Sequence, residues 1–223
     1  MLKGFVFDLD GVITDTARYH YEAWKHVAQE EAGITINESV NEQLKGLSRM
    51  DSLETILKFG HKENRYTDTE KAVMASEKND YYLKLIKNMT PKDILPGMKD
   101  FLKALHAAGY KASIASASKN APTIIDRLGL TTSFDGIVDP SLLKKGKPDP
   151  EIFERAAELL QFDNSEVVGL EDASAGIAGI NAAGQFSVGI GDKTILKDAD
   201  LIFPSTADVD LKVIEKAFND QNN

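Results

Sequence analysis

Leu2-Lys3-Gly4-Phe5-Val6-Phe7-Asp8-Leu9-Asp10-Gly11-Val12 is the stretch that decides how this chain reads. The apolar run predicts a strand over residues 2–8, two carboxylates arrive at its end, and Gly11 then turns the chain. Side chains at i and i+2 of a strand point to the same side, so Asp8 and Asp10 can face one ligand. Apposed carboxylates repel unless a cation, a proton or a basic side chain stabilises them. An Asp-rich turn after a strand is the plainer alternative, and these residues alone do not choose between the two.

Working outward, two styles of sequence alternate. From about residue 94 onward, short β-branched runs at Tyr110 to Ala115, Phe134 to Val138, Glu166 to Leu170, Ser187 to Ile190 and Leu201 to Phe203 predict strands. Between them lie helical spacings such as Phe101, Leu102 and Leu105, or Ile152, Phe153, Ala156 and Leu160. This alternation predicts an α/β fold, a Rossmann-like parallel sheet covered on both faces. Residues 15–92 lack convincing strands. His20, Ala23, Trp24 and Val27 form one helical stripe, Leu53, Ile56 and Leu57 a second, and Tyr81, Leu85 and Ile86 a third. An inserted α-helical cap domain is expected over 15–92, with the core built from 1–14 and 93–223.

Composition narrows the function classes. The 223 residues are 42% hydrophobic and 27% charged, ordinary for a globular protein. There is no cysteine, which removes disulfides, thiolate nucleophiles and cysteine-ligated zinc. The net charge of -9 argues against general binding to nucleic acid or anionic membranes. No run is long and apolar enough to span a bilayer, and the first residues lack a signal-peptide pattern. A cytoplasmic, monomeric protein is expected, with small molecules rather than nucleic acid or membrane as partners.

In an open parallel sheet, ligands bind at the carboxyl ends of the strands. The second predicted strand ends in Ala115-Ser116-Ala117-Ser118-Lys119-Asn120, with Pro122 suited to the first turn of a helix, a natural place for an anion. Lys147-Pro148-Asp149-Pro150 opens another helix, and Gly169-Leu170-Glu171-Asp172 ends a later strand. Singly, these read as caps, surface lysines and first-turn acids. Together they carry the logic of a magnesium-dependent phosphoryl site, in which carboxylates hold a hard cation and a lysine offsets the remaining charge.

These elements closely resemble the haloacid dehalogenase superfamily of phosphotransferases, through D-x-D-G at Asp8 and Asp10, the strand-end Ser116, K-P at Lys147 and E-D at Glu171 and Asp172. The resemblance covers essentially the full chain. It implies that Asp8 is a nucleophile forming an aspartyl-phosphate and Asp10 a general acid/base. Ser116 and Lys147 would hold the transferring phosphate. One magnesium ion would be bound by Asp8, Asp172, Glu171 as a direct or outer partner, and Asp10 through its backbone carbonyl. The acid at position 10 argues against the dehalogenase branch.

The inserted segment, with Thr14 to His20, Trp24 and Asn41 to Leu53, looks like the cap of the β-phosphoglucomutase family. That resemblance implies interconversion of β-glucose 1-phosphate and glucose 6-phosphate, with β-glucose 1,6-bisphosphate as intermediate and primer. A second phosphate site would then combine Arg49 with Ser118, Lys119 and Asn120. Arginine suits it because a rigid fork grips phosphate bidentately. Lys45, Gly46, Leu47 and Ser52 join the substrate-side set, and Thr16 and His20 resemble a hinge linking cap closure to Asp10. Trp24 is counted with them, although its stripe makes it cap core before sugar platform. A sugar-phosphate phosphatase on the same scaffold is the rival reading. A non-catalytic sugar-phosphate sensor is a weaker one, because a pure binder has no use for a nucleophile.

Overall fold

The computed structural model describes every residue except 45, 46, 48, 222 and 223, and the chain divides into two compact units. One comprises Met1–Asp15 with Met89–Asn223, the other Thr16–Asn88. In chain order the elements are β1 (Gly4–Phe7), α1 (Ala17–Ala32), α2 (Glu38–Leu44), α3 (Arg49–Phe59), α4 (Asp68–Ile86), α5 (Met98–Ala107), β2 (Lys111–Ile114) and α6 (Ala121–Arg127). They continue with β3 (Gly136–Ile137), α7 (Glu151–Leu160), β4 (Val167–Glu171), α8 (Ser174–Ala183), β5 (Phe186–Ile190), β6 (Leu201–Phe203) and α9 (Leu211–Gln221). The return from the inserted unit falls at 88/89 rather than the expected 92/93. Residues 93–95 are tied to the first unit: Thr14 Oγ1 donates to the Asp93 carbonyl at 2.7 Å, and Leu95 N–H donates to Ile13 O at 2.9 Å.

Among the described residues, six strands form one parallel sheet in the order β3-β2-β1-β4-β5-β6. Strand order therefore reverses between β1 and β4, and the carboxyl ends of those two strands open on a crevice suited to a ligand. The central run is apolar on both faces because both are covered. Phe5 and Phe7 pack edge-on against Phe101 of α5, with ring centroids 5.9 and 6.2 Å apart. Val6 points the other way, into a cluster with Ile152, Phe153, Ala156 and Leu160 of α7 and Ile177 and Ile180 of α8. β3 is shorter than the expected Phe134 to Val138. It lies at the sheet edge and pairs only with β2.

The inserted unit is helical. Trp24, Val27 and Ala28 of α1, Leu53, Ile56 and Leu57 of α3, and Met74 and Ala75 of α4 share one core. Thr67 and Glu70 cap α4 reciprocally: Glu70 N–H donates to Thr67 Oγ1, and Thr67 N–H donates to Glu70 Oε2. The buried stripe of α4 runs through Lys71, Met74, Ala75, Lys78, Tyr82 and Ile86. Tyr82, not Tyr81, is thus the inward tyrosine. Two lysines on the inward stripe hid its phase in the sequence. Lys71 is offset by Glu54 of α3 at 2.7 Å, whereas Lys78 has a different environment.

Candidate active site

Asp8 is the first residue beyond β1, and its N–H donates to Leu170 O of β4 at 3.0 Å. Glu171 ends β4 and Asp172 follows it, so three carboxylates reach the switch-point crevice from two adjacent strands. One oxygen of each of Asp8, Glu171 and Asp172 lies within 4.8 Å of the others. Lys147 Nζ stands 2.5 Å from Asp8 Oδ1 and 2.7 Å from Glu171 Oε2, and 5.0 Å from the centroid of the Phe153 ring. The other Glu171 oxygen accepts the N–H groups of Asp172 and Ala173, both at 3.2 Å. Asp8 is 8% exposed and Glu171 2%. Such desolvated charges hold together only when paired and hydrogen-bonded, and Lys147 supplies the pairing.

Two glycines make room for this arrangement. Gly11 has φ +78°, and a Cβ there would lie 1.9 Å from Asp172 Oδ2. A Cβ on Gly176, in the first turn of α8, would lie 2.0 Å from Glu171 Oε2. Gly11 N–H also donates to Thr14 O at 2.8 Å, closing the turn that carries half-buried Asp10. Beyond β2, the buried Ser116 Oγ accepts from Ser118 N–H at 3.1 Å, and Ser118 Oγ accepts from Asn120 N–H at 3.3 Å. Each hydroxyl keeps its own proton to donate. Lys119 is exposed and Asn120 half-buried at the start of α6, with Pro122 in its first turn.

A family profile for haloacid dehalogenase-like hydrolases matches residues 2–184. The chain belongs to the haloacid dehalogenase-like hydrolase family. It is 46% identical over 215 residues to a β-phosphoglucomutase of Bacillus subtilis, covering 96% of this chain and 95% of that one. A crystal structure of a β-phosphoglucomutase from Clostridium difficile superposes with a TM-score of 0.90 at 45% identity, covering 100% and 99% of the two chains. A phosphorylated-carbohydrates phosphatase of Thermotoga maritima is 27% identical over 185 residues, 82% of each chain.

Within this family member, the electrostatics of the crevice follow from crowding. Burial, and then the Glu171 charge, push the Asp8 carboxyl up to about 7 despite the opposing Lys147. Asp172, though exposed at the rim, is raised to about 6, first by loss of water around its carboxyl and then by Asp8. Burial also raises Glu171. Burial opposes the charge on Lys147, but Asp8 and Glu171 outweigh it and hold the ammonium above the usual lysine value. Three carboxylates with one lysine leave an excess of negative charge. An all-oxygen donor set with that excess fits a hard divalent cation.

The inserted unit holds a second polar group, around Lys78 and His20. Lys78 Nζ lies 2.7 Å from His20 Nδ1, 5.1 Å from the Trp24 ring centroid and 4.9 Å from that of Tyr82. His20 itself stacks on Tyr82, centroids 4.2 Å apart. When Lys78 is charged its ammonium only donates, so Nδ1 of a neutral imidazole is then the acceptor. Burial, then Lys78 and Arg49, lower His20 to about 3. Burial, then Arg49, lower Lys78 to about 7.

The structure brings Asp8, Lys147, Glu171 and Asp172 together, and levels Ser116 with them at the strand ends: Ala115 N–H donates to Phe7 O at 2.7 Å. In the inserted unit, Arg49 is exposed at the start of α3, its Nη2 donating to Asn79 Oδ1 at 2.8 Å. Leu47 is exposed, Thr16 is fully buried just ahead of α1, and Ser52 is buried on the inner side of α3. Trp24 is 4% exposed, shares the helical core and lies under Lys78, in keeping with the apolar stripe on which the sequence places it. Lys45 and Gly46 lie outside the described residues. Sequence reading missed Lys78 and Gly176. The Ala173-Ser174-Ala175-Gly176 run of small residues after the acids was the available signal for the glycine. Nothing local marked Lys78.

Proposed function

We propose that this chain is a phosphomutase interconverting β-D-glucose 1-phosphate and D-glucose 6-phosphate, with Asp8 carrying the phosphoryl group. In the first transfer an Asp8 oxygen attacks phosphorus of the bisphosphate and the phosphorus–oxygen bond to the sugar breaks. Asp10 delivers a proton to the departing sugar oxygen. Glucose 6-phosphate then leaves. In the second transfer the free 6-hydroxyl of an incoming β-glucose 1-phosphate attacks the aspartyl-phosphate while Asp10 takes its proton, which frees Asp8 and regenerates the bisphosphate. The Ser116 hydroxyl and the Lys147 ammonium face the charge on the transferring oxygens.

The carboxylates of Asp8, Asp172 and Glu171, with the Asp10 carbonyl, would hold magnesium, which when bound supplies positive charge against the phosphate. Their oxygen-only donor set and raised carboxyl pKa values support that assignment. The phosphate not being transferred needs its own grip, which this reading gives to Arg49 and to Ser118, Lys119 and Asn120. Thr16, His20, Lys45, Gly46, Leu47 and Ser52 remain the proposed substrate-side set.

The observation that carries a mutase over a phosphatase is likeness to two β-phosphoglucomutases along nearly the whole of both chains, inserted helices included. Purified protein given β- or α-glucose 1-phosphate, with magnesium and a trace of bisphosphate, tests it. The reading expects glucose 6-phosphate from the β anomer alone. Stoichiometric free phosphate without isomer would replace it with the phosphatase.

A further inference from the structure

We propose that Glu151 is a positioning residue for Lys147, its carboxylate closing the loop from which the ammonium reaches Asp8 and Glu171. The consequence for turnover rests on the phosphoryl-transfer reading above; the placement of Lys147 does not. Glu151 is the first residue of α7, so a rigid element anchors the contact. Its Oε2 accepts from Lys144 N–H at 2.8 Å and from Lys145 N–H at 3.1 Å, seven and six residues back along the chain. Inside the closed loop, Lys145 Nζ meets Asp149 Oδ2 at 3.1 Å and Asp149 N–H donates to Gly146 O at 3.0 Å. Asp149 Oδ1 in turn accepts from Glu151 N–H at 3.2 Å. Lys147 leaves the middle of this loop and passes over Phe153, two residues beyond Glu151.

An acid in the first turn of a helix is favourable on its own, which would make Glu151 merely structural. Its bonds do not serve the helix, however. They go to amides outside α7, on the far side of Lys147. A lysine stem has wide rotamer freedom, so holding its Nζ on two carboxylates requires a fixed backbone origin. The tie at Glu151 provides that origin.

The test compares E151A, E151Q and E151D, alone and with K147A. Two quantities are read: turnover, and the rate at which a water-soluble acylating reagent labels Lys147, followed by peptide mass spectrometry. E151A is expected to lower kcat about tenfold with KM within about twofold, since displacements near 1 Å cost up to about 100-fold. E151Q keeps an oxygen for the same two N–H groups and recovers most of the rate. E151D keeps the charge in the first turn but is one methylene shorter, and falls with E151A. Lys147 acylates several-fold faster in E151A, while Lys3, paired with Glu166 at 2.6 Å, does not change. In the K147A background E151A costs less than about twofold more, as expected for residues acting as a unit. Parent-like labelling of Lys147 in E151A, or a full additive loss on top of K147A, would overturn the proposal. Labelling requires no turnover, so its outcome is separate from the fate of the mutase reading.

Discussion

Lys147 of the sheet unit and Lys78 of the helical unit are both withdrawn from water, yet their protons are held in opposite ways. Lys147 lies between two carboxylates, which raise it and keep it charged at any ordinary pH. Lys78 is 4% exposed among Trp24, Tyr82 and a neutral His20, and burial lowers it to about 7. Aromatic faces and an imidazole lone pair stabilise an ammonium less than a carboxylate does. One lysine is therefore a fixed charge beside the nucleophile, and the other is poised near neutrality. Burial does not decide protonation by itself; the partner does.

The largest expected effect strikes the fixed charge's partner. Asp8→Asn should lower turnover by at least about 10⁴-fold, as loss of a nucleophile does elsewhere, and a single-turnover assay should find no phosphoenzyme. Asp10→Asn should cost about 10² to 10⁴ in sugar transfer through loss of acid/base catalysis, with Asp8 still phosphorylated by acetyl phosphate. Parent-rate isomerisation by either variant would contradict the assigned roles.

Cation binding sharpens the comparison through pH. Free Asp8 and Asp172 titrate near 7 and 6, so a cation must displace their protons as pH falls below about 7. Calorimetric affinity for magnesium should drop from about pH 8 to about pH 6, with proton release measurable in buffers of different ionisation enthalpy. A flat affinity over that range would sink the carboxylate cluster as the binding site. Arg49→Lys keeps charge but loses the bidentate fork. It should slow sugar phosphorylation roughly tenfold, within the charge-assisted hydrogen-bond range, and leave acetyl phosphate transfer to Asp8 nearly unchanged.

The smallest effect concerns Lys78. Its folded pKa, about 7, lies below the ordinary 10.5. Between those values the unfolded chain binds a proton that the folded chain does not, so stability rises with pH across the window and is lost as pH falls towards 7. Lys78→Met should flatten that rise in unfolding midpoints measured from about pH 7 to about pH 10. An unchanged slope would mean that Lys78 stays charged in the fold, and the contrast with Lys147 would fail.

The sheet unit was largely legible because its signals are local. A two-sided apolar run at Phe5 to Phe7 predicts a covered parallel strand, and Asp8, Lys147, Glu171 and Asp172 each follow or open an element that the pattern marks. The helical unit was less legible. Lys71 and Lys78 sit on the buried stripe of α4, each made tolerable by a residue distant in sequence: Glu54 for one, His20 for the other. Pairings between residues 17 and 58 positions apart leave no periodic trace. The same holds for Glu151, whose place in the first turn of a helix concealed a bond to a preceding loop.

The central claim is transfer between sugar oxygens through Asp8 without water taking the phosphate. Running the reaction on β-glucose 1-phosphate in heavy-oxygen water, and weighing the phosphate groups afterwards, tests it most directly. The account predicts glucose 6-phosphate whose phosphate carries no solvent oxygen, with little inorganic phosphate formed. Inorganic phosphate carrying solvent oxygen, released in step with substrate loss, would contradict it.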